Sequence, residues 1–165
     1  MNPAAGFDNY MPHDLMHMVV EAKLGLNRAV FGQLAAGGLA GTFRIDAVGN
    51  LSKRDTARLL RRSDKRDESL LREGRDDSAA SERATYICWF EWLSRSSDKS
   101  LKKTAAAMAS NAKHVRDTAP EAELEALGRD TLDRICMHLD ELSSRWSGLA
   151  PGESMTVSWP DLTLL

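Results

Sequence analysis

The sequence predicts a mainly α-helical protein of the α+β class: a bundle of five or six helices with a small two-stranded antiparallel β element. Apolar residues recur every three or four positions over most of the chain, which is typical of helices that bury one face. Alternation with a period of two occurs at two places only, residues 42–48 and 153–159. The chain has 165 residues, of which 42% are hydrophobic, and this is enough to bury one core. We therefore predict a single domain spanning residues 1–165.

Charge and cysteine content narrow the class of protein. The formal net charge of −2 gives no overall attraction to nucleic acid or anionic lipid. The first ten residues lack a basic stretch followed by an apolar run, and no segment approaches the roughly 18 apolar residues of a membrane span. Cys88 and Cys136 form no metal-binding or redox spacing, so we predict free, buried thiols. These features predict a soluble, cytoplasmic protein without membrane contact, and they leave its oligomeric state open.

The first predicted helix, residues 12–24, carries the most unusual chemistry. Pro12 suits the first turn of a helix, and Gly25 is expected to end it. At 100° per residue, four titratable side chains fall within an arc of about 100°, while apolar residues fill the rest of the helix. These four form a titratable stripe, which consists of His13, Asp14, His17 and Glu21.

A second short helix is predicted from residue 27 to residue 36, capped by Asn27 and packed on the first helix as an αα-hairpin. The glycine-rich run 36–41 then breaks the helical period. It lacks the Lys-Ser/Thr pair of a phosphate-binding loop, so we interpret it as a turn. The strands predicted at 42–48 and 153–159 follow at the two ends of the remaining chain, and we expect them to pair with each other.

The next helix begins near Ser52 and is strongly basic. Residues 53–66 contain seven basic and two acidic residues. Clustered Lys and Arg can bind nucleic acid phosphates, but no aromatic or amide side chain is interleaved to stack on bases or read them. We therefore expect this basic segment to meet the acidic C-terminal helix or solvent, and nucleic acid is not expected as a partner.

Three further helices are predicted, at residues 79–96, 97–115 and 118–147. The first has the broadest apolar face and should contribute most to the core. The second has small residues suited to close packing, with His114 on the exposed face. The third is the longest and is opened by a capping box at Thr118. His138 lies on its apolar side and is the histidine best placed to meet the titratable stripe.

Two resemblances bear on that stripe. Pro-His-Asp-Leu-x-His-x-Val-Val-Glu at 12–21, Phe-Gly-x-Leu-Ala-Ala-Gly-Gly at 31–38, and the ending from Trp146 through Pro-Gly-Glu to Trp-Pro at 159–160 resemble an uncharacterised bacterial family with no established activity. The first motif is also similar to the His-Glu-x-x-His of zinc-dependent peptidases, in which two histidines one turn apart bind zinc and the Glu activates water. Asp14 stands where that Glu would be. The similarity thus favours a metal more than it favours peptide hydrolysis.

Two functions follow from these observations. In the first, His13 and His17 bind zinc or another divalent metal, Glu21 or His138 is a further ligand, and Asp14 is the catalytic base or a supporting residue, an arrangement that would suit hydrolysis. In the second, the stripe is a polar seam inside the bundle, and the protein is a non-enzymatic binding or regulatory module. Whether the protein is an enzyme, and whether its partner is a small molecule or a protein, stays open at this point.

Overall fold

The computed structural model describes residues 9–41 and 53–165. Its described residues are mainly helical, as predicted, with more helices than the five or six expected. The seven helices are α1 His13–Leu24, α2 Val30–Ala35, α3 Lys53–Glu73, α4 Arg75–Arg95, α5 Lys99–Thr118, α6 Glu121–Ala126 and α7 Arg129–Ser147.

Helix α1 lies at the centre of the bundle, where it packs against α4, α7 and α2. Its limits agree with the sequence signals: it begins just after Pro12, and Gly25 ends it in the left-handed conformation with φ of 68°. Met16, Val19 and Val20 are almost completely buried on it. The position of α1 explains why a helix with four titratable side chains must also be largely apolar.

The core forms where α4 meets α5, α1 and α7. Ile87 of α4 and Leu139 of α7 are fully buried there, and burial of such side chains stabilises a fold by about 1.5–3 kcal/mol each. Cys88 and Cys136 are free and buried, as predicted. In the part of the chain that the structure describes, no helix is both long and apolar enough to cross a membrane.

The prediction of a single long helix at 118–147 is wrong, because Leu127 and Gly128 separate two helices, α6 and α7. Leu127 is only 4% exposed, so the break allows it to enter the core. Thr118 belongs to the end of α5, and its hydroxyl donates to the carbonyl of His114 instead of opening a new helix. His114 itself is exposed, as predicted.

The predicted β element is not supported. Residues 42–48 lie outside the described residues, and residues 153–159 form no strand, only an isolated antiparallel bridge between Val157 and Leu164. The alternation at 153–159 has another cause: Met155, Val157 and Trp159 are partly buried against the helical core. Trp159 stacks on Phe31 of α2 with ring centroids 5.8 Å apart.

Candidate functional site

A cavity of about 310 Å³ opens between α1, α2 and α4, and residues of α3 and of the glycine-rich loop border it. Its volume lies at the lower end of the range for small-molecule sites. Three larger clefts have no histidine or cysteine in their described linings: two, of about 650 and 610 Å³, follow the C-terminal segment, and one, of about 560 Å³, lies between α4, α5 and α7. The smaller cavity, which has two histidines in its lining, is therefore the candidate functional site. It is lined by His13, Asp14, His17, Val30, Phe31, Gln33, Ala40, Leu71, Ser78 and Glu82.

His17 and Glu21 lie one turn apart on α1 and are both buried, with exposed fractions of 5% and 0%. Ser81 of α4 links them: its hydroxyl donates to Glu21 Oε1 at 2.8 Å and lies 2.9 Å from His17 Nδ1. Thr85 Oγ1 is 3.3 Å from the same nitrogen. A buried hydrogen-bond chain thus runs from Glu21 through Ser81 to His17.

The direction of this chain follows from the chemistry of its members. An ionised carboxylate can only accept hydrogen bonds, and a serine hydroxyl has a single hydrogen to donate. With Glu21 ionised, Ser81 gives its hydrogen to the carboxylate and accepts the hydrogen of His17 Nδ1–H. A neutral imidazole with its hydrogen on Nδ1 carries its lone pair on Nε2. That nitrogen is 3.9 Å from Oε2 of Glu82, whose side chain is 70% exposed.

Burial controls the charges of both buried groups. It lowers the pKa of His17 below its usual 6.5; Glu82 opposes this shift and His13 reinforces it. Burial also raises the pKa of Glu21, against the hydrogen bonds that it accepts from the Phe31 N–H and the Ser81 hydroxyl. His17 is consequently neutral at pH 7.

Glu21 has a second task in the fold. Its Oε2 accepts the Phe31 N–H at 2.9 Å, in the first turn of α2. This helix begins at Val30, later than predicted, and Asn27 does not cap it. A carboxylate near the start of a helix satisfies free N–H groups and is favoured by the helix dipole. Both oxygens of Glu21 are thus used within the molecule.

His13 and Asp14 are exposed at the cavity. The rings of His13 and His17 meet edge to face, with centroids 4.6 Å apart and an angle of 65° between their planes. The structure therefore brings together three of the four residues of the titratable stripe at one cavity. The fourth, Glu21, is buried and is linked to His17 through the Ser81 hydroxyl.

His138 lies on α7 and is not among the residues that line the cavity. Its Nε2 is buried and has no hydrogen-bond partner among the described residues. Across residues 9–41 and 53–165, no three His, Cys, Asp or Glu side chains form a group that could hold a metal ion. The assignment of Glu21 or His138 as a third ligand therefore stays a prediction.

Sequence reasoning missed the α4 side of the site. The missed residues lie on one side of α4 at positions i, i+3, i+4 and i+7, and this helical spacing is the signal that could have identified them. They are Ser78, Ser81, Glu82 and Thr85. Gln33 of α2 was missed as well; it is 2% exposed, and its Nε2 donates to the Arg28 carbonyl at 2.8 Å.

Comparison with models of protein families, with curated proteins and with solved structures gives no match for this chain. The function must therefore be argued from the geometry of the site.

Proposed function

We propose that His13 and His17 bind one divalent metal ion, of the zinc class, at the mouth of the cavity. The observation that carries this proposal is the buried chain from Glu21 through Ser81, which leaves the lone pair of His17 on Nε2, at the cavity and beside His13. A histidine that binds a metal usually donates its other ring N–H to a carboxylate, carbonyl or water, and Ser81 supplies that acceptor here.

The charge state of His17 supports the same function. A metal binds the neutral imidazole, so protonation competes with the ion. The lowered pKa of His17 reduces that competition at neutral pH. Two histidines four residues apart on a helix can reach one ion at about 2.0–2.1 Å. Ring centroids 4.6 Å apart require little movement of either side chain.

Glu82 is the best placed of the carboxylates to complete the site. Its Oε2 is 3.9 Å from His17 Nε2, and its exposed side chain can rotate toward an ion bound there. Glu21 would have to give up the Phe31 N–H and the Ser81 hydroxyl first. Asp14, at the same cavity, keeps its proposed role as a general base, which makes hydrolysis the reaction that this site would suit.

A second function is favoured by one observation, namely that Glu21 is fully used inside the bundle. In this case the stripe is structural, and the protein is a non-enzymatic binding or regulatory module.

Metal analysis and zinc titration of protein purified without a histidine tag distinguish the two functions. We expect about one ion per chain for the native protein, and a loss of at least about 100-fold in affinity for His13→Ala and His17→Ala. The matched control is His114→Ala, which removes an exposed histidine from α5 and should bind as the native protein does. Glu82→Ala should weaken binding by about 10-fold to 100-fold.

Failure of the native protein to bind zinc, or equal losses in the control, would reject the metal and leave the binding module. Affinity should also fall as the pH decreases through the histidine range, since protons then compete for the imidazoles.

A further inference from the structure

Helix α3 carries a line of basic side chains on one face. At 100° per residue, Arg54, Arg58, Arg61 and Lys65 fall within an arc of about 60°. All four are exposed. They span 11 residue steps, or about 16 Å along the helix axis. We refer to these four side chains as the basic stripe.

The other side of α3 is attached to the bundle. The helix contacts α2 and α4. Asp67 accepts the Leu39 N–H at 2.6 Å, and Leu71 lines the cavity next to the glycine-rich loop. On a helical projection Asp67 lies about 150° from the centre of the basic stripe, and Leu71 lies about 110° from it. The stripe is therefore held facing outward.

The charges of the basic stripe are not neutralised within the described residues. In each Lys or Arg ion pair of that part of the chain the basic residue lies on α4 or α5, and none includes a residue of the stripe. Two of the C-terminal acidic residues pair with α4 instead: Glu123 with Arg83, and Asp133 with Arg95. Of the two environments predicted for the basic segment, the structure thus shows solvent.

Three of the acidic residues that follow the stripe accept hydrogen bonds elsewhere, whereas Glu68 is exposed on the same face of α3 as the stripe. Besides Asp67, Glu73 accepts the Ser69 hydroxyl at 2.8 Å, and Asp77 accepts the Arg28 N–H at 3.0 Å. The four basic side chains form an exposed line of positive charge on a protein with a net charge of −2.

We propose that the basic stripe contacts the phosphate backbone of a nucleic acid duplex without reading its sequence. Consecutive charges on the stripe are about 4.5–6 Å apart along the axis, and a duplex presents one negative charge per roughly 1.7 Å. Three of the four side chains are arginines, which bind phosphate in a bidentate manner.

Other anionic surfaces fit less well. A helix that lies on a membrane surface needs a broad apolar face beside its basic residues, whereas more than half of the 21 residues of α3 are charged. A single strand is held by aromatic stacking, and α3 contains no aromatic residue. This proposal is independent of the metal site, so His13→Ala and His17→Ala should bind nucleic acid as the native protein does.

The test is fluorescence anisotropy of a labelled duplex of mixed sequence, titrated with the full chain at salt concentrations between about 50 and 200 mM. Four phosphate contacts predict that log K falls with log salt at a slope of about −3.6. Arg58→Glu with Arg61→Glu should weaken binding by more than about tenfold and reduce the slope by about two. The matched control, Lys102→Glu with Lys103→Glu, makes the same charge change at two exposed residues of α5.

Circular dichroism of both double variants confirms that each is folded before binding is compared. The proposal is overturned if the native chain shows no salt-dependent binding, or if the α5 control loses as much affinity as the α3 variant. It is also overturned if single strands or anionic vesicles bind more tightly than the duplex. A salt-sensitive dimer that is lost in the α3 variant, with no duplex binding, would assign the stripe to a second copy of the chain instead.

Discussion

Replacing Glu21 by Gln should reverse the hydrogen-bond chain that orients His17. The substitution keeps the size of the side chain but makes one terminal atom a donor. The new amide oxygen must face the Phe31 N–H, so the amide NH₂ takes the position that donates to Ser81 Oγ. Ser81 then gives its own hydrogen to His17 Nδ1, 2.9 Å away. The hydrogen of the neutral imidazole moves to Nε2, and the lone pair no longer lies at the cavity.

The expected effect on stability is small, whereas that on metal binding is large. Two hydrogen bonds to a charged acceptor become neutral ones, a loss of about 1 kcal/mol each. Removing a fully buried charge offsets part of that loss. The free energy of unfolding should therefore change by less than about 2 kcal/mol. Changing the group that orients a metal-binding histidine reduces metal affinity by about 10-fold to 100-fold.

The assay is a two-bond ¹H–¹⁵N spectrum of protein labelled at histidine, which reports the nitrogen that carries the hydrogen. The native protein should show His17 protonated at Nδ1, and Glu21→Gln should show it protonated at Nε2. Glu82→Gln is the control, because Glu82 approaches Nε2 and not the Ser81 side of the ring. Protonation at Nε2 in the native protein, or no change of tautomer in Glu21→Gln, would refute the proposed chain.

Three further predictions concern stability and reactivity. Because burial lowers the pKa of His17, the unfolded chain takes up this proton first as the pH falls. The free energy of unfolding of the native protein should therefore decrease below about pH 6.5 relative to that of His17→Gln, by at most about 1.4 kcal/mol per pH unit. If urea denaturation from pH 5 to 8 gives the same pH dependence for both proteins, the prediction is wrong. Leu139→Ala, at a fully buried position of α7, should destabilise the protein by about 2–5 kcal/mol. Its control, Met137→Ala, changes a residue that is 68% exposed and should cost less than about 0.5 kcal/mol. Equal shifts in the urea midpoint of the two variants would be inconsistent with the core described here. Burial raises the pKa of Cys88 to about 12 and that of Cys136 to about 11. A thiol reagent at pH 8 should therefore label both cysteines only after the protein unfolds. Rapid labelling of the native protein would show that the two thiols are accessible.

Helix α1 shows how far local sequence can predict this protein. Its limits depend on Pro12 and Gly25, which act on the backbone next to them, and both were correct. The proximity of His13 and His17 was also predictable, since residues four apart share a helix face whatever surrounds the helix. The helical class followed in the same way from the spacing of apolar residues.

The errors occurred where a local pattern had more than one tertiary explanation. Alternation at 153–159 suggested a strand, but the same pattern arises when Val157 and Trp159 pack against helices. The apolar repeat at 118–147 suggested one helix, and the repeat does not reveal that the chain breaks so that Leu127 can enter the core. In both places packing between distant segments determined the outcome.

The candidate site was likewise predictable only in part from the sequence. Sequence spacing alone placed His13, Asp14 and His17 on one face of one helix. The orientation of His17 depends on Ser81, which lies 64 residues further along the chain and meets it only because α1 packs on α4. The inward role of Glu21 likewise depends on α2 beginning at its carboxylate. A hydrogen bond has a direction that its partner sets, so the nitrogen that His17 offers to the cavity could not be known before that partner was in place.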